Sequence, residues 1–273
     1  MKTKTRSKAR RIVDLLLLTA VPLLFYSCVD ELIFYPPACS YRPSTHMVMI
    51  PSADNQQIAA YYLPPPGDHA FTVLFSHGNA EDIGHLRDFV QYYHLQGFGI
   101  LAYDYRGYGR SDGVPSEQAT YADIEAAFKY LTEREQIDPS RIIAHGRSVG
   151  CGPTVWLASH HPLAGVILES PFVSAYRVMT RVPIIPFDKY PNLSRIKDIR
   201  CPVLVIHGRD DRVVPFWHGQ TLYNAANDPK HHYWVDNAGH NDLLYHAGQT
   251  YWTTLQTFKD QLERTPQPER SPQ

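Results

Sequence analysis

From residue 30 onward, short apolar runs alternate with longer stretches whose apolar residues recur at helical spacing, and no segment repeats another. The runs at 71–75, 99–103, 142–144, 165–168 and 203–206 are rich in Val, Ile, Leu and Phe with little polar alternation, which predicts strands covered on both faces. A last strand is predicted at 232–235. Two earlier ones, at 47–50 and 57–63, are separated from the next by Pro64-Pro-Pro-Gly67 and are expected to pair antiparallel. Between strands the spacing predicts helices. The clearest spans 116–135, with Tyr121, Ile124, Ala127, Phe128 and Leu131 on one face and charges on the other. Such alternation predicts an α/β fold, a mostly parallel sheet with helices on both faces, in one domain over 30–264.

Between 173 and 200 the pattern turns irregular. Val182-Pro-Ile-Ile-Pro-Phe187 and Tyr190-Pro-Asn-Leu-Ser194 break any long helix, so a short lid insertion is expected over a rather open site. Its aromatic and aliphatic residues are candidates to line an acyl-binding groove. The tail at 265–273, rich in Pro and Gln, has the composition of a disordered segment.

A chain of 273 residues with a formal net charge of −1 has no overall field to gather polyanions, so nucleic acid is excluded as an expected partner. Charge is uneven only at the start. Lys2, Lys4, Arg6, Lys8, Arg10 and Arg11 precede an apolar run over 15–26, the form of an export signal. The run is shorter than the ~20 residues of a comfortable membrane span, and Asp14 and Pro22 interrupt it, which favours a cleaved signal. Phe25-Tyr-Ser-Cys28 is similar to the lipobox of bacterial lipoproteins, although Phe25 and Tyr26 are bulkier than that motif usually carries. Three readings of 1–29 stay open: lipidation at Cys28, an uncleaved anchor, or plain secretion. Each puts the folded part at or beyond a membrane. Cys39, Cys151 and Cys201 are too scattered for a disulfide framework or a metal site and are expected in or near the core.

The candidate chemistry begins at Gly146-x-Ser148-x-Gly150, where a strand runs into a tight turn and then a helix, the form of a nucleophile elbow. A serine hydroxyl is a poor nucleophile unless a base takes its proton, and a sharp turn presents it to one. Gly109-Arg-Ser111-Asp-Gly113 fits the same pattern. Val114-Pro115 follows it, however, and the residue before proline is pushed away from helical angles, so Ser111 is expected to be a loop serine.

If Ser148 is the nucleophile, an acid and a histidine should follow it in that order, each at the tip of a later strand. Asp211 follows the 203–206 strand and His240 follows the 232–235 strand. Asp210 and Glu169 are the competing acids, with Asp211 preferred and Asp210 assigned to bracing the turn. Asp242 is expected to cap the C-terminal helix. His160, His161, His231 and His232 are expected at the surface. Donors for an oxyanion are expected from the backbone N–H groups of Asn79 and Val149, with His77 in a structural role.

Together these segments resemble the α/β-hydrolase superfamily over about 31–259, and most of all its small-lidded serine hydrolases, which include animal protein depalmitoylases. The resemblance is carried by Ser76-His-Gly-Asn-Ala80, Tyr103-Asp-Tyr-Arg-Gly-Tyr-Gly109 with Pro115-Ser-Glu117, and Tyr121-Ala-Asp-Ile-Glu125. Gly146-Arg-Ser-Val-Gly150, Pro202-Val-Leu-Val-Ile-His-Gly208 with Asp211, and Gly239-His-Asn-Asp242 complete it. It implies a triad of Ser148, Asp211 and His240, no metal and no organic cofactor, and hydrolysis of a small-molecule or acylated ester or thioester through an acyl-enzyme. The animal depalmitoylases carry an N-terminal cysteine cluster where this chain has a basic-apolar segment and a single Cys28. That departure points to a bacterial periplasm or cell envelope. Two other functions stay open: a serine peptidase, with Glu169 or a lid residue to hold a substrate amine, and an envelope-anchored binding protein that lost turnover.

Overall fold

The computed structural model describes residues 30–180 and 188–264. The expected export or lipobox segment with Cys28, the middle of the expected lid at 181–187, and the tail at 265–273 lie outside the described residues. No helix among the described residues is long and apolar enough to cross a membrane.

Eight strands form one sheet in the order β1-β2-β4-β3-β5-β6-β7-β8. They are β1 (Met47–Pro51), β2 (Gln57–Leu63), β3 (Thr72–Ser76), β4 (Gly99–Tyr103), β5 (Ile142–Arg147), β6 (Gly165–Glu169), β7 (Val203–Gly208) and β8 (Lys230–Val235). β2 runs antiparallel to both β1 and β4, and β3 through β8 are parallel. The buried strands fall where the apolar runs place them, because a strand sandwiched between helix layers needs apolar residues on both faces. Phe71 lies just before β3, and β8 begins two residues earlier than expected.

Both faces are covered. The Glu117–Lys129 and Cys151–His160 helices bring Tyr121, Ile124, Val155 and Leu157 to one side of the core. The Arg87–Leu95 and Gln249–Arg264 helices bring Val90, Tyr93, Leu255 and Phe258 to the other. The chain leaves β3 toward β4 on one side and leaves β5 toward β6 on the other, so the sheet order reverses between β3 and β5. A crevice opens at the carboxyl ends of strands at such a reversal. Ser76 of β3 pairs with Gly146 of β5, which puts the loop after β3 beside the turn that carries Ser148.

The 116–135 helix is real but departs from its expected polarity. Ser116 caps it by accepting the Ala119 N–H at 3.0 Å, and a π-helical turn, Tyr130–Arg134, continues it. Two of its charges, Glu117 and Asp123, are buried. Asp123 accepts from the Arg106 guanidinium at 2.8 Å, and Glu117 accepts from the Tyr121 hydroxyl at 2.6 Å and the Tyr190 N–H at 2.7 Å. A buried carboxylate is tolerable only with such partners, and periodicity does not reveal them. Cys151 is buried as expected, and Cys201 is half-buried, whereas Cys39 is exposed. Within the expected lid span, Ala175–Thr180 and Asn192–Arg195 are helical.

Candidate active site

The turn after β5 is forced by what surrounds it. Ser148 has φ of 52°, in the left-handed region that costs a non-glycine residue about 1–2 kcal/mol. A Cβ on Gly150 would lie 2.1 Å from the Ser76 carbonyl oxygen, and one on Gly146 would lie 2.5 Å from that of Gly150. Gly150 is therefore the condition for packing the elbow against β3, and Gly146 for closing the turn on itself. Its reward is exposure of the hydroxyl at the mouth of the crevice.

His240 reaches Ser148 from the loop after β8, with Nε2 at 2.9 Å from Oγ. Its Nδ1 lies 2.7 Å from Asp211 Oδ2, in the loop after β7. The second oxygen of Asp211, Oδ1, accepts the Val213 and Val214 N–H groups at 2.9 and 2.8 Å, fixing the carboxylate plane. Burial by itself would raise the Asp211 pKa. Hydrogen bonds from His207 and His240, and then from the Val214 N–H, outweigh it and hold the group well below the ordinary carboxylate range. An ionised Asp211 orients the His240 ring and favours a proton on Nδ1, leaving Nε2 free to accept the Ser148 proton.

The chain is 40% identical over 222 residues to human alpha/beta hydrolase domain-containing protein 17B, an alignment covering 78% of this chain and 74% of that protein. The chain belongs to the α/β-hydrolase superfamily. It is also 41% identical over 201 residues to alpha/beta hydrolase domain-containing protein aho-3 of Caenorhabditis elegans, covering 72% of this chain but only 59% of that protein. The Hydrolase_4 family model, described as serine aminopeptidase, S33, matches residues 67–188. Among solved structures, a Pyrococcus furiosus esterase, Pf2001, superposes with a TM-score of 0.72 at 18% identity, covering 85% of this chain and 98% of that one. An acylaminoacyl peptidase of Pyrococcus horikoshii gives 0.64 at 17% identity, covering 83% of this chain and 43% of that one. At those identities the structural likenesses establish the fold alone.

In this α/β-hydrolase the Ser148 hydroxyl opens into a cavity of about 390 Å³. Asn79 and Val149, the expected oxyanion donors, line it together with Ser148 and His240. Its apolar wall comes from Phe172, Val178, Val213 and Val214, and from Ile33 and Tyr35. The last two were not among the sequence-derived candidates, since a position ahead of the first strand carries no local sign that it folds over the sheet edge. Phe172 was likewise missed, while Val178 falls within the expected lid.

Other expectations sort themselves by geometry. Asp210 is exposed, and it is Asp211 that braces the turn. Asp242 stands at the cap position of the Leu243–Ala247 helix, but its side chain accepts no helix N–H; Oδ1 accepts the Gly239 N–H at 2.7 Å, bracing the loop that carries His240, and Oδ2 lies 3.4 Å from His246 Nε2. Glu169 is buried at the end of β6, bound by the Tyr251 hydroxyl at 2.6 Å and 3.7 Å from His145 Nε2. His77 is structural as expected, with Nδ1 2.7 Å from the Gly78 carbonyl oxygen. Of the four surface histidines, His160 and His232 are exposed, while His161 and His231 are half-buried. Two supporting pairs escaped the sequence reading. His207 Nε2 sits 2.9 Å from the Val214 carbonyl oxygen and 3.4 Å from Asp211 Oδ2. Glu81 accepts the Gly78 N–H at 2.6 Å and pairs with Arg147 at 2.5 Å, tying the loop after β3 to the end of β5.

Proposed function

We propose that the protein is a serine hydrolase that cleaves carboxylic ester or thioester bonds through an acyl-enzyme. One observation carries the reading: the relay from Asp211 to His240 to Ser148, at 2.7 and 2.9 Å, ends on a hydroxyl facing an apolar cavity. Ser148 attacks the carbonyl carbon while His240 takes its proton and then returns it to the departing alkoxide or thiolate. The N–H groups of Asn79 and Val149 receive the charge that develops on the carbonyl oxygen. Water activated by His240 then releases the acid. The largely apolar wall suits an acyl chain, and the substrate is a small molecule or an acylated one.

A fluorophosphonate probe tests the reading. The wild-type chain is expected to be labelled and Ser148→Ala is not; an unlabelled wild-type chain overturns it. Turnover of aryl esters and acyl thioesters of graded length then separates the two bond types.

A peptidase is favoured by the description of the matching family model, and it would need a carboxylate free to hold a substrate amine. Glu169 is buried against Tyr251, and Glu81, on the cavity wall, is engaged by Arg147 and Gly78. Ester or thioester cleavage is therefore the better reading. An envelope-anchored binding protein has no use for a relay aligned to this degree. The basic-apolar segment at 1–29 supports a membrane-associated, exported enzyme, and the mass of the mature N-terminus decides between cleavage, lipidation at Cys28 and retention.

A further inference from the structure

Residues 30–35, which open with the helical turn Asp30–Ile33, form a strap that lines the cavity through Ile33 and Tyr35. Its far end is held by Asp30, whose Oδ2 lies 2.6 Å from Nζ of the buried Lys189 and whose Oδ1 accepts the Glu117 N–H at 3.2 Å. Phe34 is buried in the core, while Ile33 and Tyr35 face the cavity. The near end is held by the Asn79 side chain. Asn79 Oδ1 accepts the Tyr35 N–H at 2.9 Å and the Tyr108 hydroxyl at 2.7 Å, and Nδ2 donates to the Ile33 carbonyl. The same Oδ1 accepts the Ala80 N–H at 3.0 Å, and Ala80 has φ of 56°. A non-glycine residue persists in that region only where its surroundings hold it there.

Asn79 thus has two engagements: its side chain grips the strap, and the residue lines the cavity into which Ser148 opens, where its backbone N–H is the proposed oxyanion donor. We infer that the strap at 30–35 is a working part of the active site, its grip on the Asn79 side chain setting the oxyanion donor and its Ile33 and Tyr35 side chains selecting the acyl chain. The inference rests on the hydrolase reading and adds positioning and specificity residues to it. The physical ground is that an oxyanion donor works only when it is already in place, so a shift of about 1 Å can cost as much as ~100-fold in rate. It follows that any processing of the N-terminus must stop before Asp30.

The test is steady-state hydrolysis of acetyl and octanoyl aryl esters by the full chain, with melting temperature and fluorophosphonate labelling measured alongside. Asn79→Ala keeps the backbone N–H and removes the grip. It is expected to lower kcat on the acetyl ester by roughly 10- to 100-fold, with KM within about threefold of wild type. Tyr35→Pro deletes the N–H given to Asn79, whereas Tyr35→Ala keeps it. The proline variant is expected to lose about fivefold or more in kcat beyond the alanine variant. Ile33→Ala is expected to lower the octanoyl-to-acetyl ratio of kcat/KM by about fivefold. A folded Asn79→Ala with wild-type kcat, or equal rates for Tyr35→Pro and Tyr35→Ala, overturns the positioning role. An unaltered chain-length ratio in Ile33→Ala overturns the selecting role. If Asn79→Ala fails to fold, the pair at Tyr35 decides. Loss of Ser148-dependent labelling in the wild-type chain is a different failure, that of the hydrolase reading itself.

Discussion

Gly-x-Ser-x-Gly occurs twice in this chain, at 109–113 and at 146–150, and the two copies are built for opposite tasks. At 146–150 the strand ends, the backbone turns through a left-handed serine, and the hydroxyl is left facing an imidazole and a cavity. At 109–113 the left-handed residues are the glycines themselves, at φ of 50° and 78°. There the Ser111 hydroxyl is spent on the backbone, accepting the Ala59 N–H at 2.8 Å and donating to the Asp104 carbonyl at 2.8 Å. Asp112 adds a further stitch to β2 by accepting the Gln57 N–H at 3.0 Å. One copy presents its serine; the other buries its bonding capacity in a seam. The comparison teaches that one five-residue pattern leaves its serine hydroxyl facing an imidazole where the serine carries the left-handed turn, and tied to the backbone where the glycines carry it.

Substitution at the two serines should separate them most sharply. Ser148→Ala is expected to lower kcat/KM by about 10⁴-fold or more and to abolish probe labelling, while Ser111→Ala keeps labelling per folded molecule. Equal losses at both would break the distinction. Asp211→Asn should follow closely, with a loss of about 10³- to 10⁴-fold in kcat at unchanged fold, since the amide no longer holds the His240 tautomer. Circular dichroism and a burst assay check the two halves of that statement.

Gly150→Ala comes next, because its Cβ would lie 2.1 Å from the Ser76 carbonyl oxygen. It is expected to cost about 1–3 kcal/mol of stability and roughly 100-fold in rate, read from denaturant melts and ester turnover. In Ser111→Ala the Ala59 N–H loses its partner, at a cost of about 1–2 kcal/mol. A fall in melting temperature of roughly 2–4 °C checks it.

The smallest effect concerns acid. His218 is buried and accepts the Val173 N–H at 3.2 Å. Burial, followed by the charges of His207 and Arg177, pushes it down to about 4, against the pull of Asp211. The unfolded chain therefore binds this proton from about pH 6.5 and the folded chain only near about 4, so stability falls as pH drops through that interval. His218→Gln should flatten the slope of melting temperature against pH there. An unaltered slope would assign the acid loss to other groups, such as the buried His145, whose pKa burial also lowers.

Much of the site is legible before folding because each member sits at a strand end, where local pattern marks the strand and a small-residue loop marks its exit. Ser148 and His240 follow that rule, and Asp211 follows its strand through a charged loop, Arg209-Asp-Asp-Arg212. Asp210 and Asp242 show where it stops, since two adjacent carboxylates, or one two residues past a histidine, present the same letters whichever way each side chain turns. The burial of Glu117 and Asp123, two charges of the 116–135 helix, is invisible to its spacing for a related reason. Their partners, Tyr190 and Arg106, lie 73 and 17 residues away, and helical spacing reports only neighbours on the same face.

The sequence by itself determined the strand succession, the α/β class, and which serine carries the elbow, because periodicity, breakers and glycine placement act over a few residues at a time. Only the tertiary structure decided which carboxylate meets His240 and that residues 30–35 wall the cavity. The same holds for Asn79, whose side chain binds the strap. Those outcomes depend on where the sheet reverses between β3 and β5, which brings remote loops within hydrogen-bonding reach, and no local stretch of chain encodes that distance.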